Sequence, residues 1–355
     1  MATVDVLTDA SALAEVEPEW RALAESRGNA FVSPEWFRAW LPHLGPRTQP
    51  WVLVWRGDDG ALRGLIPLVA SIGRRRRRLS FAGGRFGDYF RPVSAVADED
   101  ACARAAAQAL RERHRDWAIL TLDKVDVTSS WVDRVRGEPA NALLPAVEDH
   151  REWLPYIDLS GFSSWEEYLA TRSKKLRSQV GRELRVLERD HSVRFRRTLD
   201  SSELEADVES FFDLHERRWT GRGRSTLAHE HARAALADFA AAALEAGWLR
   251  LWFLEVDRQP IASWYGWRVG PRYAHYQSGL DPAWSRRSAG LILLGRTIRD
   301  AIEDGAIEYD MLGGGEGYKR RFETGRREAK TIVVTPRFHA SRAIAAAGVG
   351  ARRLA

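Results

Sequence analysis

The same order of secondary-structure signals is written twice in this chain of 355 residues. The second copy is the clearer. Ser164-Trp-Glu-Glu167 is a capping box, the serine and glutamate satisfying orphan amides at a helix start. Behind it Trp165, Tyr168, Leu169, Leu176, Val180, Leu184 and Leu187 recur at helical spacing, which predicts one helix. Val193 to Thr198 alternates as a strand, and a second box, Ser202-Glu-Leu-Glu205, opens a helix through Phe211, Phe212 and His215. The run 221–225 reads as a loop, and a helix over Ala228 to Ala246 stops at Gly247. Three strands follow, Trp248 to Val256, Ile261 to Val269 and Tyr273 to Leu280, with turns at 257–260 and 270–271. A helix over Leu291 to Asp304 stops at Gly305. Then come a strand to Leu312, a short helical segment around Tyr318 and a strand near Thr331 to Thr335.

The first copy is fainter but keeps the order. Val4 to Leu7 is a strand, helices start at Ser11 and at Pro34, and Trp51 to Trp55, Leu62 to Val69 and Arg77 to Phe81 are strands. Ala101 to Arg115 is a helix and Trp117 to Asp123 a strand. Each half carries a Trp-x-x-x-Trp strand that leads into a hairpin, Trp51/Trp55 and Trp248/Trp252, the mark of an internal duplication. Residues 137–153 read as the linker and 341–355 as a small, basic tail.

Composition narrows the class. No stretch approaches the ~18–20 uncharged apolar residues of a membrane span, and the N-terminus lacks a basic-then-apolar signal pattern. The expectation is a cytoplasmic globular protein. One cysteine, Cys102 on an Ala-rich helix, excludes an internal disulfide and a Cys-based zinc or iron–sulfur site. His229 and His231 are two apart and cannot share a helix face, so no metal site is expected. No Gly-x-Ser-x-Gly elbow is present either. The 54 basic residues comprise five lysines and 49 arginines. A lysine that survives such a bias is a candidate for a place where a compact ammonium is needed and a planar fork would not serve.

Certain motifs carry a resemblance. They are Phe31-Val-Ser-Pro-Glu-Trp36 with Trp40, Gly83-Gly84 with Asp88-Tyr89, Tyr276-x-Ser-Gly-Leu-Asp-Pro-Ala-Trp284, Gly290-x-x-Leu-Leu294 and above all Tyr309-Asp-Met-Leu-Gly-Gly-Gly-Glu-Gly-Tyr-Lys319. Together with the doubled order they resemble the tandem-GNAT acyltransferases of the CelD/BcsL-like, BioF-type group, relatives of the Fem aminoacyltransferases. The resemblance implies an α/β (α+β) chain of two GNAT-like domains, each a mixed, mostly antiparallel sheet flanked by helices. The domains would be 1–145 and 146–340, the second carrying the chemistry.

The resemblance also implies sites. Arg287, Ser288, Ala289 and Gly290 stand where GNAT enzymes hold the CoA pyrophosphate on the amides of a helix N-terminus, although Ile292 replaces an expected small residue. Tyr318 stands where a tyrosine protonates the departing thiolate. Lys319 matches a Fem lysine that stabilises charge at the acyl-transfer centre, with Glu316 or Asp310 to orient it or to take a proton. In the strand at 273–280, Tyr276 and Ser278 share a face and are expected to line the cleft, with His275 a packed sheet residue. Asp88 and Tyr89 hold the equivalent place in the first half and are candidates for binding substrate.

Net charge is +5, yet residues 172–197, Arg177 among them, hold ten Lys/Arg against three acids, a net +7. Such an arm, like the run Arg74 to Arg78, attracts polyanions: CoA phosphates, a nucleotide-linked sugar, tRNA or a membrane surface. The leading expectation is an N-acyltransferase that moves an acyl group from acyl-CoA to an amine of a polar metabolite, a nucleotide-linked acceptor or a cell-envelope precursor, with no metal. A Fem-like aminoacyl-tRNA-dependent transferase and a non-catalytic binding module in polysaccharide biosynthesis are the alternatives.

Overall fold

The computed structural model of the chain describes residues 3–72, 77–127, 143–220, 225–314 and 317–336, with 129, 131 and 134. Glu316, Arg74 to Arg76, residues 221–224 of the loop, residues 137–142 of the linker and the tail lie outside them. The chain divides into two units, residues 1–153 with 328–355, and Leu154–Arg327. Among the described residues no helix is long and apolar enough to cross a membrane, and no group of three or more His, Cys, Asp or Glu is placed to hold a metal ion.

The first unit contains β1 (Thr3–Leu7), α1 (Ala10–Arg27), α2 (Pro34–Trp40), β2 (Thr48–Arg56), β3 (Leu62–Ile72) and β4 (Arg77–Phe81). After these come the two-residue β5 (Val93–Ser94), α3 (Glu99–Glu112) and β6 (Trp117–Asp126). The strands β1 to β4 pair antiparallel in succession, and β4 pairs parallel with β6. Pro34 at the first turn of α2, capped by Ser33, sets up an aromatic cluster. Trp36 meets Phe31 and Trp40, and Trp36 Nε1 donates to the Ala82 carbonyl at 2.9 Å. Cys102 is buried on α3, and burial pushes its thiol up to about 12, so it is inert.

β7 (Leu143–Asp158) begins in the first unit and enters the second at Leu154, which goes on with α4 (Trp165–Ala170), α5 (Lys174–Asp190), β8 (Val193–Arg197) and α6 (Ser201–Trp219). Next are α7 (Glu230–Glu245), β9 (Leu249–Val256), β10 (Gln259–Val269) and β11 (Arg272–Leu280). The last elements are α8 (Ala289–Glu303), β12 (Glu308–Asp310) and β13 (Gly325–Pro336). The sheet order is β7-β12-β11-β10-β9-β8, antiparallel except for the parallel pair β11/β12. Adjacent residues of β10 point to opposite layers. Trp264 joins the cluster formed by α4, α5 and α8, whereas Tyr265 packs on Phe211 of α6 and donates to the Leu236 carbonyl of α7. Residues from 328 onward belong to the first unit, because β13 pairs antiparallel with β6 from Ala329 to Val334.

Two local expectations need correction. The helix read from Ser164 through Leu187 is two helices, because Ser173 caps a fresh start by accepting from the Leu176 amide at 3.3 Å. The next helix is capped by Asp200, two residues before the Ser202 box, with Asp200 Oδ1 accepting from the Ser202 amide at 2.8 Å. Gly247, at φ +73, ends α7 as its place in the sequence demanded.

Candidate functional site

The site starts from a fault in the sheet. The register of β10 and β11 slips between Tyr265 and Gly266, so Tyr265 faces Gln277, Gly266 faces His275, and Tyr276 has no opposite number. A bulge of this kind breaks strict alternation. The pairing of Tyr276 with Ser278 on one face is therefore wrong. Tyr276 packs at a tilt against Tyr265 and Trp267 on the α6/α7 side, while His275 sits beside Trp264 and Tyr309 on the α8 side. A neighbour is lost at the same level. β12 accompanies β11 only through Ala274↔Asp310, and beyond that point β11 continues to Leu280 paired with β10 on its other side.

The chain leaving β12 bends back under local control. Asp310 Oδ1 accepts from the Leu312 amide at 2.8 Å, and Leu312 turns at φ +51. The carbonyls of Leu312 and Gly313 then accept from Lys319 Nζ at 3.4 and 2.6 Å. Lys319 is only 5% exposed. Asp310 thus reaches Lys319 through the turn, and its other oxygen lies 3.7 Å from Arg327. The turn that carries Tyr318 and Lys319 is pinned from below, where Tyr168 Oη and Arg172 Nη1 both donate to the Phe322 carbonyl.

At the start of α8, Ser288 adopts φ +56 and makes no side-chain cap. Its Oγ instead accepts from Gln179, whose Oε1 accepts from Arg321 at 2.7 Å. Ile292 is core, 2% exposed. Burying such a side chain is worth ~2 kcal/mol, which explains a large residue at that point of the motif. Gly290 is the opposite case: a Cβ placed there would meet nothing within 4 Å. Packing does not require the glycine, and the space in front of it is open to a ligand. Ala289 is buried beneath, and Arg287 is exposed, 3.7 Å from Asp190.

Two clefts open into this region. One, of about 280 Å³, runs from Ser285, Ser288 and Gly290 along Leu291 and Leu294 to Tyr318. The other, of about 330 Å³, lies between Trp219, Tyr276, Gln277, Gly313, Gly314 and Lys319. Arg218, His275, Ser278 and Tyr318 line both. Sequence reasoning missed His275 as a site residue, along with Arg218. His275 is 4% exposed, and its Nδ1 is buried without a hydrogen-bond partner. Burial, with the charges of Lys319 and Arg218, holds it well below the usual histidine range and therefore neutral. Arg218 donates to Ser278 Oγ and to the Ser278 carbonyl. His215 packs behind, with Nδ1 3.0 Å from that carbonyl and Nε2 2.6 Å from Ser225 Oγ, and burial lowers it to about 4. Alternation already set His275 opposite Tyr276; what the sequence did not show is that Lys319 and Arg218 are brought beside it from other elements.

The remaining candidates stand elsewhere. Arg177 donates to the Ala170 and Arg172 carbonyls and ties α4 to α5. In the first unit Asp88 is paired with Lys124 at 2.8 Å, and the Tyr89 carbonyl accepts from Asn29. The basic arm is not one charged face. Arg196 turns inward to a fork on Asp207 and a third bond on Glu255, all at 2.7 Å, and Arg197 lies 3.6 Å from Asp300. Those three acids lie outside the 172–197 window. Lys174, Lys175 and Arg185 stay exposed on α5.

Residues 174–320 match the family model described as Acetyltransferase (GNAT) domain. That stretch therefore carries a GNAT acetyltransferase domain. No curated protein sequence matches it. Among solved structures it resembles FemX at a TM-score of 0.65 and 11% identity, over 93% of this chain and 96% of that one. It also resembles the C-terminal domain (DUF2156) of a putative lysylphosphatidylglycerol synthetase from Agrobacterium fabrum, at 0.56 and 11%, over 94% of each chain. A third is L-PGS from Bacillus licheniformis, at 0.53 and 12%, over 91% of this chain and 93% of that one. At such identities the likeness is one of fold.

Proposed function

We propose that this acyltransferase moves an acyl group from acyl-CoA, acetyl-CoA being the simplest donor, to an amine of a polar metabolite or cell-envelope precursor by direct attack. What supports the reading is that two clefts meet at one wall of four side chains, so that donor and acceptor can approach from opposite sides. The first cleft begins at the N-terminus of a 15-residue helix with an open space over Gly290. Amide N–H groups and the dipole of that end suit phosphates. Arg287, Ser288, Ala289 and Gly290 would hold the donor's phosphates, and the arm would run past Leu291 and Leu294 to Tyr318.

The acceptor amine enters by the second cleft and attacks the acyl carbon. His275, neutral at physiological pH, takes its proton. The ammonium of Lys319, fixed by the Leu312 and Gly313 carbonyls, stabilises the oxyanion that forms. Tyr318 gives a proton to the departing thiolate. An aminoacyl-tRNA donor would use the same wall, with the exposed Lys174, Lys175 and Arg185 facing the nucleic acid.

The test is thermal unfolding with acetyl-CoA, then with charged tRNA, followed by turnover with each. Acetyl-CoA should raise the midpoint. Gly290→Ala should raise the donor KM several-fold while leaving the free protein as stable as before, since the new methyl clears the protein and fills only ligand space. RNase-sensitive transfer from charged tRNA with no response to acetyl-CoA would overturn the donor assignment.

A further inference from the structure

Resting on the acyl-CoA reading, we infer that Gln179 is a positioning residue: through it the donor's phosphates at Ser288 hold Arg321, and with Arg321 the turn that carries Tyr318 and Lys319. Three elements meet at this half-buried side chain. Gln179 lies on α5, Ser288 at the start of α8, and Arg321 at the end of the short turn Lys319–Arg321. All three line the cleft that Gly290 lines. The chemistry of the three groups fixes the direction of each bond. A guanidinium has five donors and no acceptor, so the amide oxygen of Gln179 must be the atom that meets Arg321, at 2.7 Å. Its amide nitrogen then falls to Ser288 Oγ, at 3.2 Å, and can only donate there. Ser288 Oγ is the acceptor in this chain, which leaves its own proton to be given elsewhere.

A phosphate on the α8 amides accepts that proton and attracts the guanidinium, and Gln179 holds both groups toward it. The backbone of Arg321 carries the effect onward. Its amide donates to the Tyr318 carbonyl at 3.0 Å and closes the turn. The holds on this turn described above are the Leu312 and Gly313 carbonyls on Lys319 Nζ, and Tyr168 and Arg172 on the Phe322 carbonyl. Neither includes a residue of the phosphate seat. Gln179 does, so it is the link by which an occupied donor site steadies the two side chains that act on the thioester. With the link cut, the donor still has the α8 amides to bind, but its phosphates no longer act on the turn.

The experiment follows amide hydrogen exchange of the full chain alone, with saturating CoA, and with saturating pantetheine, which has the arm and no phosphate. CoA should slow exchange over 288–294 and over 317–323 by about fivefold or more, and pantetheine should slow 317–323 by about twofold at most. Gln179→Leu is close in volume and suits a helix. In it CoA should still slow 288–294, while protection of 317–323 should fall to the level that pantetheine gives. Arg321→Lys, which keeps a donor and a charge, should retain part of that protection. Turnover supplies a second readout on any amine that the wild type acylates. Gln179→Leu should lower kcat with acetyl-CoA about tenfold and leave kcat with S-acetylpantetheine within about twofold. If Gln179→Leu does not fold, Arg321→Met is read in the same way. Full protection of 317–323 by CoA in the variant overturns the inference and leaves the acyl-CoA reading intact, as does a wild type in which CoA slows 288–294 alone. CoA that slows exchange nowhere in the wild type overturns the donor reading and the inference with it.

Discussion

Each unit withdraws one lysine from water, and the two are held in opposite ways. Lys124, at the end of β6, meets Asp88 at 2.8 Å and Glu152 at 3.6 Å. Burial alone would lower its pKa, but the two carboxylates outweigh burial and raise it. Lys319 meets the carbonyls of Leu312 and Gly313. The first arrangement spends its charge inside the protein and locks a turn. The second fixes an ammonium on two backbone carbonyls, at the lining of a cleft. The same residue type therefore serves packing in one unit and, on the function proposed above, chemistry in the other.

Three measurements bear on this contrast. The largest effect is expected at Lys319. Lys319→Met and Lys319→Arg should each lower kcat/KM about 10²–10³-fold, the range for removing one well-placed charge donor from an acyl-transfer centre. The guanidinium is too large and too planar for the two-carbonyl socket. Wild-type turnover by either variant, with the fold intact by circular dichroism, would break the contrast from the side of the second unit. Next comes Lys124→Met, which leaves Asp88 buried without its counter-charge and should cost about 3 kcal/mol of stability. Turnover per folded molecule should not change. A variant that folds as well as the wild type but has lost activity would mean that the first unit's lysine also works on substrate.

The smallest effect is a pH dependence shared by the buried histidines. His215 is held at about 4 by burial, against ~6.5 in the unfolded chain. A depressed histidine contributes stability that is whole above ~6.5 and is lost as pH falls toward 4. The slope is at most ~1.4 kcal/mol per pH unit for each such group. His275 acts in the same direction. Denaturant midpoints measured from pH 7.5 to 4.5 should fall, and His215→Gln should flatten the curve. An unchanged slope in that variant would show that His215 is already protonated in the native state.

Much of the fold was legible because it is encoded locally. The hairpin at Asp257 and Arg258, both at positive φ, and the Gly247 stop are decided by a few adjacent residues. The motif ending in Tyr318-Lys319 was legible for a different reason, since its glycines and the rarity of lysine made it stand out from an arginine-rich background. The basic arm was misleading in proportion to its window. Arg196 looked like surface charge until Asp207 and Glu255 were brought to it from a helix and a strand that the count did not include.

The sequence by itself determined the order of elements, the caps and stops that bound them, and the motif that holds Lys319, because these depend on contacts a few residues apart. Tertiary structure alone decided which strand residues face the clefts and which arginines turn inward to distant acids. A single unpaired residue, Tyr276, put Ser278 opposite Trp264, on the face of His275 and away from the one that simple alternation assigned it. Arg218 reached Ser278 across sixty positions of chain. A bulge and a long-range hydrogen bond cost little free energy to form and leave no periodic trace, and on them the site depends.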